Sequence, residues 1–114
     1  MKTIIAGSRE YQDYEFMAQE LNNVDFEITE VVSGTARGAD RLGEKWADDN
    51  GMPIFRMPAN WDQYGKAAGY IRNEEMAKCS DALVAFWDGK SMGTKHMIDL
   101  AKKYDLKIKV VLFK

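Results

Sequence analysis

Cysteine, histidine and proline are almost absent from this chain: among 114 residues there are one, one and two of them. A single cysteine, Cys79, cannot close an internal disulfide, and no apolar run approaches the ~20 residues that span a bilayer. Both features favour a reducing cytosol. The apolar stretch at Met1–Gly7 is too short for a secretory leader. His96, standing alone without cysteines or clustered carboxylates, is a poor basis for a metal site or a general base, so no metal is expected. No Ser-His-Asp or Cys-His set can be drawn. Charge of one sign is not concentrated anywhere: the formal net charge is −2, and the cations are dispersed. Duplex nucleic acid needs a basic face and is therefore excluded as a partner. A small anion is not, because a few local cations and backbone amides suffice to hold one.

What is present is ordinary for a globular protein, with 46% hydrophobic and 30% charged residues. The length fits one domain over residues 1–114 and not two. Repeats, linkers and low-complexity tracts are missing. Residues 2–6 read as a short buried strand. Residues 14–23 read as a helix with Tyr14, Met17 and Leu21 on one face and Asp13 as its N-cap. Residues 26–32 read as a second strand, half exposed at its start. In residues 38–50, Ala39, Leu42, Gly43, Trp46 and Ala47 follow helical spacing, and Asn50-Gly51 is a stop. A strand bounded by Pro53 and Pro58 follows, then a long aromatic and polar loop over 59–68. A helix over 69–79, a continuously apolar strand over 82–87, a helix near 94–104 and a strand over 107–113 complete the chain. Strands and helices alternate throughout. The expected fold is α/β, a Rossmann-like parallel sheet of about five strands with helices on both faces.

In such a sheet the loops leaving the strand C-terminal ends share one edge, where ligands bind. Three of these loops carry unusual residues. Gly7, Ser8 and Arg9 follow the first strand and offer close backbone approach, a hydroxyl and an oxyanion clamp; taken alone they read better as a plain turn with a solvated Arg. Ser33-Gly34-Thr35-Ala36-Arg37-Gly38-Ala39-Asp40 places two glycines at a strand-to-helix turn, where amides and a helix end favour an anion. Asp40 there either stabilises the helix start, holds Arg37 or accepts from a sugar hydroxyl. Asp88-Gly89-Lys90-Ser91-Met92-Gly93-Thr94-Lys95-His96 brings amides, two hydroxyls and two lysines toward a phosphate-sized volume, without the Walker A spacing. In the long loop, Trp61 and Tyr64 either stack on a base or plug the gap above the sheet. Trp87 reads as core or as the floor of the site, Cys79 as a small apolar residue at a helix end, and His96 as a loop-edge residue.

Residues 33–40, Pro58-Ala59-Asn60-Trp61-Asp62-Gln63-Tyr64-Gly65, Ala68-Gly69-Tyr70-Ile71-Arg72-Asn73-Glu74-Glu75-Met76 and 88–94 together resemble the YspA/YpsA-related branch of the SLOG superfamily, over nearly the whole chain. The resemblance implies a Rossmann-like domain that binds nucleotides or nucleotide-derived ligands and pairs with itself, with the helix over 69–79 as a contact face. It implies no bound cofactor. The superfamily also contains the LOG phosphoribohydrolases, which cleave the base from nucleoside monophosphates. Arg72-Asn73-Glu74-Glu75-Met76 resembles their Arg-Lys-x-x-Met, with Asn for Lys, and Ser80-Asp81-Ala82 fits the start of their following strand. Their Pro-Gly-Gly-x-Gly-Thr-x-x-Glu becomes Trp87 to Met97, with an extra residue between the glycines and Met97 in place of the glutamate.

That replacement matters chemically. N-glycosidic cleavage builds positive charge on the ribose, and a carboxylate must stabilise it or activate water. Met97 does neither and fits an apolar helix face with Ala101 and Tyr104. Asp88, Glu74, Glu75 and Asp62 are the carboxylates that could substitute. The reading from sequence is a binder of a nucleotide-derived ligand, as sensor or sponge. Phosphate would be held by the 88–94 loop and the 34–38 turn, charge neutralised by Arg72, Arg9 and Arg37, ribose read by Asp40 or Asn73, and the base covered by Trp61 or Tyr64. The alternatives are an N-glycosidase with a relocated carboxylate, for which no catalytic residue is assigned, and a protein-interaction module without a small ligand. Arg72 has a second reading as a helix-surface partner of Glu74 or Glu75.

Overall fold

The computed structural model describes residues 1–113. Five strands, β1 (Lys2–Gly7), β2 (Glu30–Ser33), β3 (Ile54–Arg56), β4 (Ala82–Trp87) and β5 (Lys107–Leu112), alternate with helices α1 (Tyr14–Asn22), α2 (Ala39–Asp49), α3 (Trp61–Tyr64), α4 (Ala68–Lys78) and α5 (Met92–Lys103). All strand pairs are parallel and the sheet order is β3-β2-β1-β4-β5. The α/β, Rossmann-like arrangement expected from the alternation is the one observed.

Both faces of the sheet are covered, and the two-residue period of the strands sorts the core. Ile5, Val31, Val84 and Phe86 point to one side, where Met17 and Leu21 of α1 and Trp46 and Ala47 of α2 cover them. Ile4, Ala6, Val32, Leu83 and Ala85 point to the other, beneath Met76 of α4 and Met97, Ile98 and Ala101 of α5. This is why β4 reads as an unbroken apolar run. The order in which strands are added reverses between β1 and β4: β1 leads to α1 on one face, β4 to α5 on the other. The loops after these two strands part and leave a crevice at the strand C-terminal ends.

Several local expectations hold. The Asp13 carboxylate accepts from the Phe16 amide and caps α1. Asn50 caps the end of α2, and Gly51 follows at φ +65°. Others shift. The strand expected over 26–32 forms only at Glu30–Ser33, because β1 begins at Lys2 and its register pairs Lys2 with Glu30. Residues before Glu30 have no strand beside them, although the Met1 carbonyl still accepts from Thr29. The loop over 59–68 contains α3 and a 3₁₀ turn at Gly65–Ala67. Asn60 caps α3 by accepting from the Gln63 amide. Cys79 ends α4 as expected but is exposed, not packed. Trp87 is partly buried and packs against the core on the α5 side, its indole N–H donating to the Ser91 carbonyl.

One backbone contact sets the crevice wall. Gly38 lies at φ +79°, ψ −127°, a region essentially reserved for glycine. A β-carbon there would stand 2.4 Å from the Ser8 carbonyl oxygen and 2.5 Å from that of Arg9. Gly51 has a positive φ too, but open space around it. Gly38→Ala is therefore expected to cost at least about 2 kcal/mol, and clearly more than Gly51→Ala. Urea unfolding of both variants checks this; equal losses would mean that the approach to Ser8 and Arg9 carries no weight.

Candidate functional site

The crevice comprises three adjoining hollows, and Arg9 and Arg72 line all of them. The first, about 430 Å³, lies between the β1 and β4 loops and includes Gly7, Ser8, Asp40, Asn73, Asp88 and Thr94 in its wall. The second, about 510 Å³, is bounded by the β2–α2 turn and the start of α3, with Arg37, Arg41 and Trp61. The third, about 210 Å³, lies between Trp61 and Tyr70, above Gly69.

Arg72 is the joint. Its position on α4 brings the guanidinium across to β2, where Nη1 donates to the Gly34 carbonyl, while Nε donates 3.0 Å to Asn73 Oδ1. Both partners are neutral. Space at Gly34 is tight: a β-carbon there would meet Arg72 Nη1 at 2.7 Å and Asp40 Oδ2 at 2.8 Å, so these side-chain ends would have to shift. Arg72 and Asp40 thus flank one point without forming an ion pair. Burial pulls the Arg72 guanidinium below its ordinary pKa; the Asp40 charge opposes this and Arg9 adds to it. The surface pairing with Glu74 or Glu75 does not occur. Glu74 instead accepts from the Tyr104 hydroxyl and faces Lys103.

Asp40 is 5% exposed. Oδ2 accepts from the Ala36 amide at 3.2 Å, so the carboxylate closes the turn that precedes its own helix. Burial pushes its carboxyl up to about 6, with Glu44 adding and the Ala36 amide, Arg72 and the Gly7 amide opposing. It is the one carboxyl in the cleft whose affinity for a proton approaches neutrality, a feature that marks functional sites.

Many amides expected to face a ligand are spent inside the protein. The Ser8 carbonyl accepts from the Ala39 amide at the start of α2, and Ser33 Oγ accepts from the Thr35 amide. Asp88 Oδ1 accepts from the Lys90 and Ser91 amides, both at 2.8 Å. Ser91 caps α5, its hydroxyl accepting from the amide and hydroxyl of Thr94. The amides of Met92 and Gly93 are left at the open end of α5. Asn73 donates toward the Gly93 carbonyl and His96 Nδ1, tying α4 to α5. It positions Arg72 and has little capacity left for a sugar.

The structure brings Gly7, Ser8, Arg9, Asp40, Arg72, Asn73, Asp88, Ser91, Gly93 and Thr94 into the first hollow, and Gly34, Thr35, Arg37 and Trp61 into the second. Gly38, Gly89 and Lys90 line none of the three; Gly38 serves the backbone contact with Ser8, and Lys90 is exposed beyond the loop. Tyr64 is exposed and lines none of the hollows, whereas Tyr70, to which the sequence assigns no role, lines the third hollow together with Trp61. Arg41, Ala36 and Glu10 were also passed over. Arg41 lies one turn into a helix whose pattern reads as plain amphipathicity, and only the fold turns it toward Thr35. His96 packs against the Tyr70 ring at 4.6 Å, and burial lowers its pKa. Met97 is 1% exposed and contributes a thioether to the cleft floor, not a carboxylate.

Of the substitute carboxylates, Asp62, Glu74 and Glu75 line none of the three hollows, and Asp88 is held below the usual carboxylate range by the Ser91 and Lys90 amides. Among the described residues no three His, Cys, Asp or Glu side chains are placed to hold a metal ion. Nor is any helix long and apolar enough to cross a membrane.

The folded protein keeps the Asp40 proton at pH values where the unfolded chain, with an ordinary value of 3.8, has released it. Stability contributed by this group therefore falls as pH rises from about 4 to about 6 and is lost above that. Asp40→Asn keeps the acceptor for Ala36 and removes the charge. Relative to the natural protein, it is expected to gain up to about 3 kcal/mol between pH 4 and pH 7.5. Urea unfolding at both pH values measures the change; a difference independent of pH would show that Asp40 ionises normally.

The family model described as YspA, cpYpsA-related SLOG family matches residues 1–64, which hold β1 through α3 and include Arg9, Arg37, Arg41 and Trp61. The chain is similar to the "Gene 61 protein" of Mycobacterium phage D29, 35% identical over 112 residues, covering 90% of this chain and 89% of that protein. No solved structure matches at a significant level. With the parallel sheet, the crevice at the β1/β4 reversal and this match over more than half its length, the chain belongs to the YspA, cpYpsA-related SLOG family, whose fold is a nucleotide-related ligand-binding one.

Proposed function

We propose that this protein binds a nucleotide or nucleotide-derived small molecule in the crevice, holding it intact as a sensor or sponge of a signalling nucleotide. The observation that carries this reading is Arg72. A half-buried guanidinium with neutral hydrogen-bond partners on two of its nitrogens, at the junction of three hollows, has lost hydration and has only the nearby Asp40, not in ion-pair contact, to offset its charge. A bound anion restores that balance. Arg9, exposed and free of ion pairs among the described residues, stands beside it. Trp61 and Tyr70 on either side of the smallest hollow offer flat faces for a base. Asp40 and Ser8 supply oxygens suited to sugar hydroxyls in the first hollow.

A second reading, N-glycosidic cleavage, draws support from Asp40 alone. Its carboxyl lies in the cleft, near Arg72, with a proton affinity suited to acid–base work at neutral pH. It would stand in for the carboxylate that Met97 replaces.

Incubation with AMP, other nucleoside monophosphates, NAD and ADP-ribose, followed by ultrafiltration and mass spectrometry of both fractions, separates the readings. Retention of an intact compound is expected. Arg72→Gln, checked for folding by circular dichroism, should weaken that retention at least about tenfold, the worth of a charge-assisted hydrogen bond. Release of free base and ribose phosphate, abolished by Asp40→Asn, would favour the enzyme. No retention and no product would overturn both in favour of an interaction module.

A further inference from the structure

We propose that the second hollow is a diphosphate seat, so that the ligand of this protein carries two adjoining phosphates and not one. This rests on the reading above and narrows it to nucleoside diphosphates and their sugar or nucleotide esters.

The chain has five arginines, and four of them, Arg9, Arg37, Arg41 and Arg72, line this one concavity. No aspartate or glutamate belongs to its wall. The first hollow is different: Arg9 and Arg72 face Glu10, Asp40 and Asp88 there, so its charge is close to balanced and it suits neutral, hydroxyl-bearing groups. Arg9, Arg41 and Arg72 make no ion pair among the described residues, and Arg37 pairs only with Glu10, at 2.9 Å between side chains more than two-thirds exposed. Such a pair is weak and exchangeable. The fifth arginine, Arg56, is neutralised by Glu44 at 2.8 Å and stays outside. Guanidinium forks bind phosphate oxygens two at a time. Their summed charge exceeds that of one phosphate dianion, and the N–H groups not already spent on Gly34, Asn73 and Thr35 suit the oxygens of two adjoining phosphates.

The backbone around the hollow supports this. Thr35 sits at φ +66°, an uncommon state for a β-branched residue. It is held there by its amide donating 3.0 Å to Ser33 Oγ, and Ser33 is fixed in turn by Glu44 at 2.6 Å. The Thr35 carbonyl accepts from Arg41 Nε at 3.4 Å, which turns that guanidinium along the rim. Trp61 borders both this hollow and the one shared with Tyr70. A diphosphate here would leave a base within reach of the aromatic pair and a sugar within reach of the first hollow.

Calorimetric titration at fixed ionic strength, with inorganic phosphate, inorganic pyrophosphate, AMP and ADP, tests the inference on the natural protein. Pyrophosphate and ADP are expected to bind at least about tenfold tighter than phosphate and AMP. In the Arg37→Gln/Arg41→Gln double variant, whose altered side chains are at the surface, the preference for ADP over AMP should fall toward unity with an unchanged unfolding midpoint. AMP and ADP binding equally well to the natural protein would overturn the diphosphate seat and leave the nucleotide reading standing. Absence of binding by all four would overturn both. A 5′-phosphorylated single-stranded oligonucleotide binding more tightly than ADP, with affinity growing with its length, would replace the seat by a nucleic-acid track.

Discussion

The crevice is organised by the placement of one cation. Arg72 leaves α4, crosses the edge of the sheet and donates to the Gly34 carbonyl at the end of β2. Position 34 leaves room for it by lacking a side chain, Asn73 accepts from its Nε, and Asp40 stands close without an ion-pair contact. A half-buried guanidinium without a carboxylate at ion-pairing distance is costly unless something anionic completes it. The fold tolerates that cost because α4, α2 and the ends of β1 and β2 are each anchored in the core on their own account.

The same competition governs the rest of the wall. Backbone amides at a helix start are often regarded as available to an anion. Here the Ala39 amide is satisfied by Ser8 and the Lys90 and Ser91 amides by Asp88. These bonds brace the loops and leave arginine side chains, not these amides, as the uncommitted polar groups of the wall. Rigid walls with pre-placed cations lose little freedom when a ligand arrives. Asp40 shows the complementary cost: its burial closes the β2–α2 turn at the expense of an ionised carboxylate that the protein interior disfavours at neutral pH.

The strand and helix alternation, the apolar β4, the Asp13 cap and the Asn50-Gly51 stop were all legible in the residues. Each depends on interactions within a few positions or on a simple period. The over-long second strand was not, since its length depends on where β1 begins on the far side of a pairing. The three loops were recognisable as neighbours, because parallel topology gathers strand C-terminal ends at one edge. Within them, Arg9, Arg72 and Trp61 stood out by chemistry. Arg41 and Tyr70 did not, as each reads as an ordinary exposed helix residue until its neighbours are known.

By itself, then, the sequence determined the parallel α/β architecture, the edge on which a site could form and the family to which the chain belongs. Periodicity, turn residues and local motifs encode those directly. The tertiary structure alone decided which groups are free to act. Gly38 proved to be a backbone contact, Asn73 a support for Arg72, and Asp88 a loop brace. Arginines from the β1 loop, the α2 region and α4 came to surround a single hollow. Hydrogen-bond satisfaction and charge balance are settled between segments distant in sequence, and no local pattern records which partner wins.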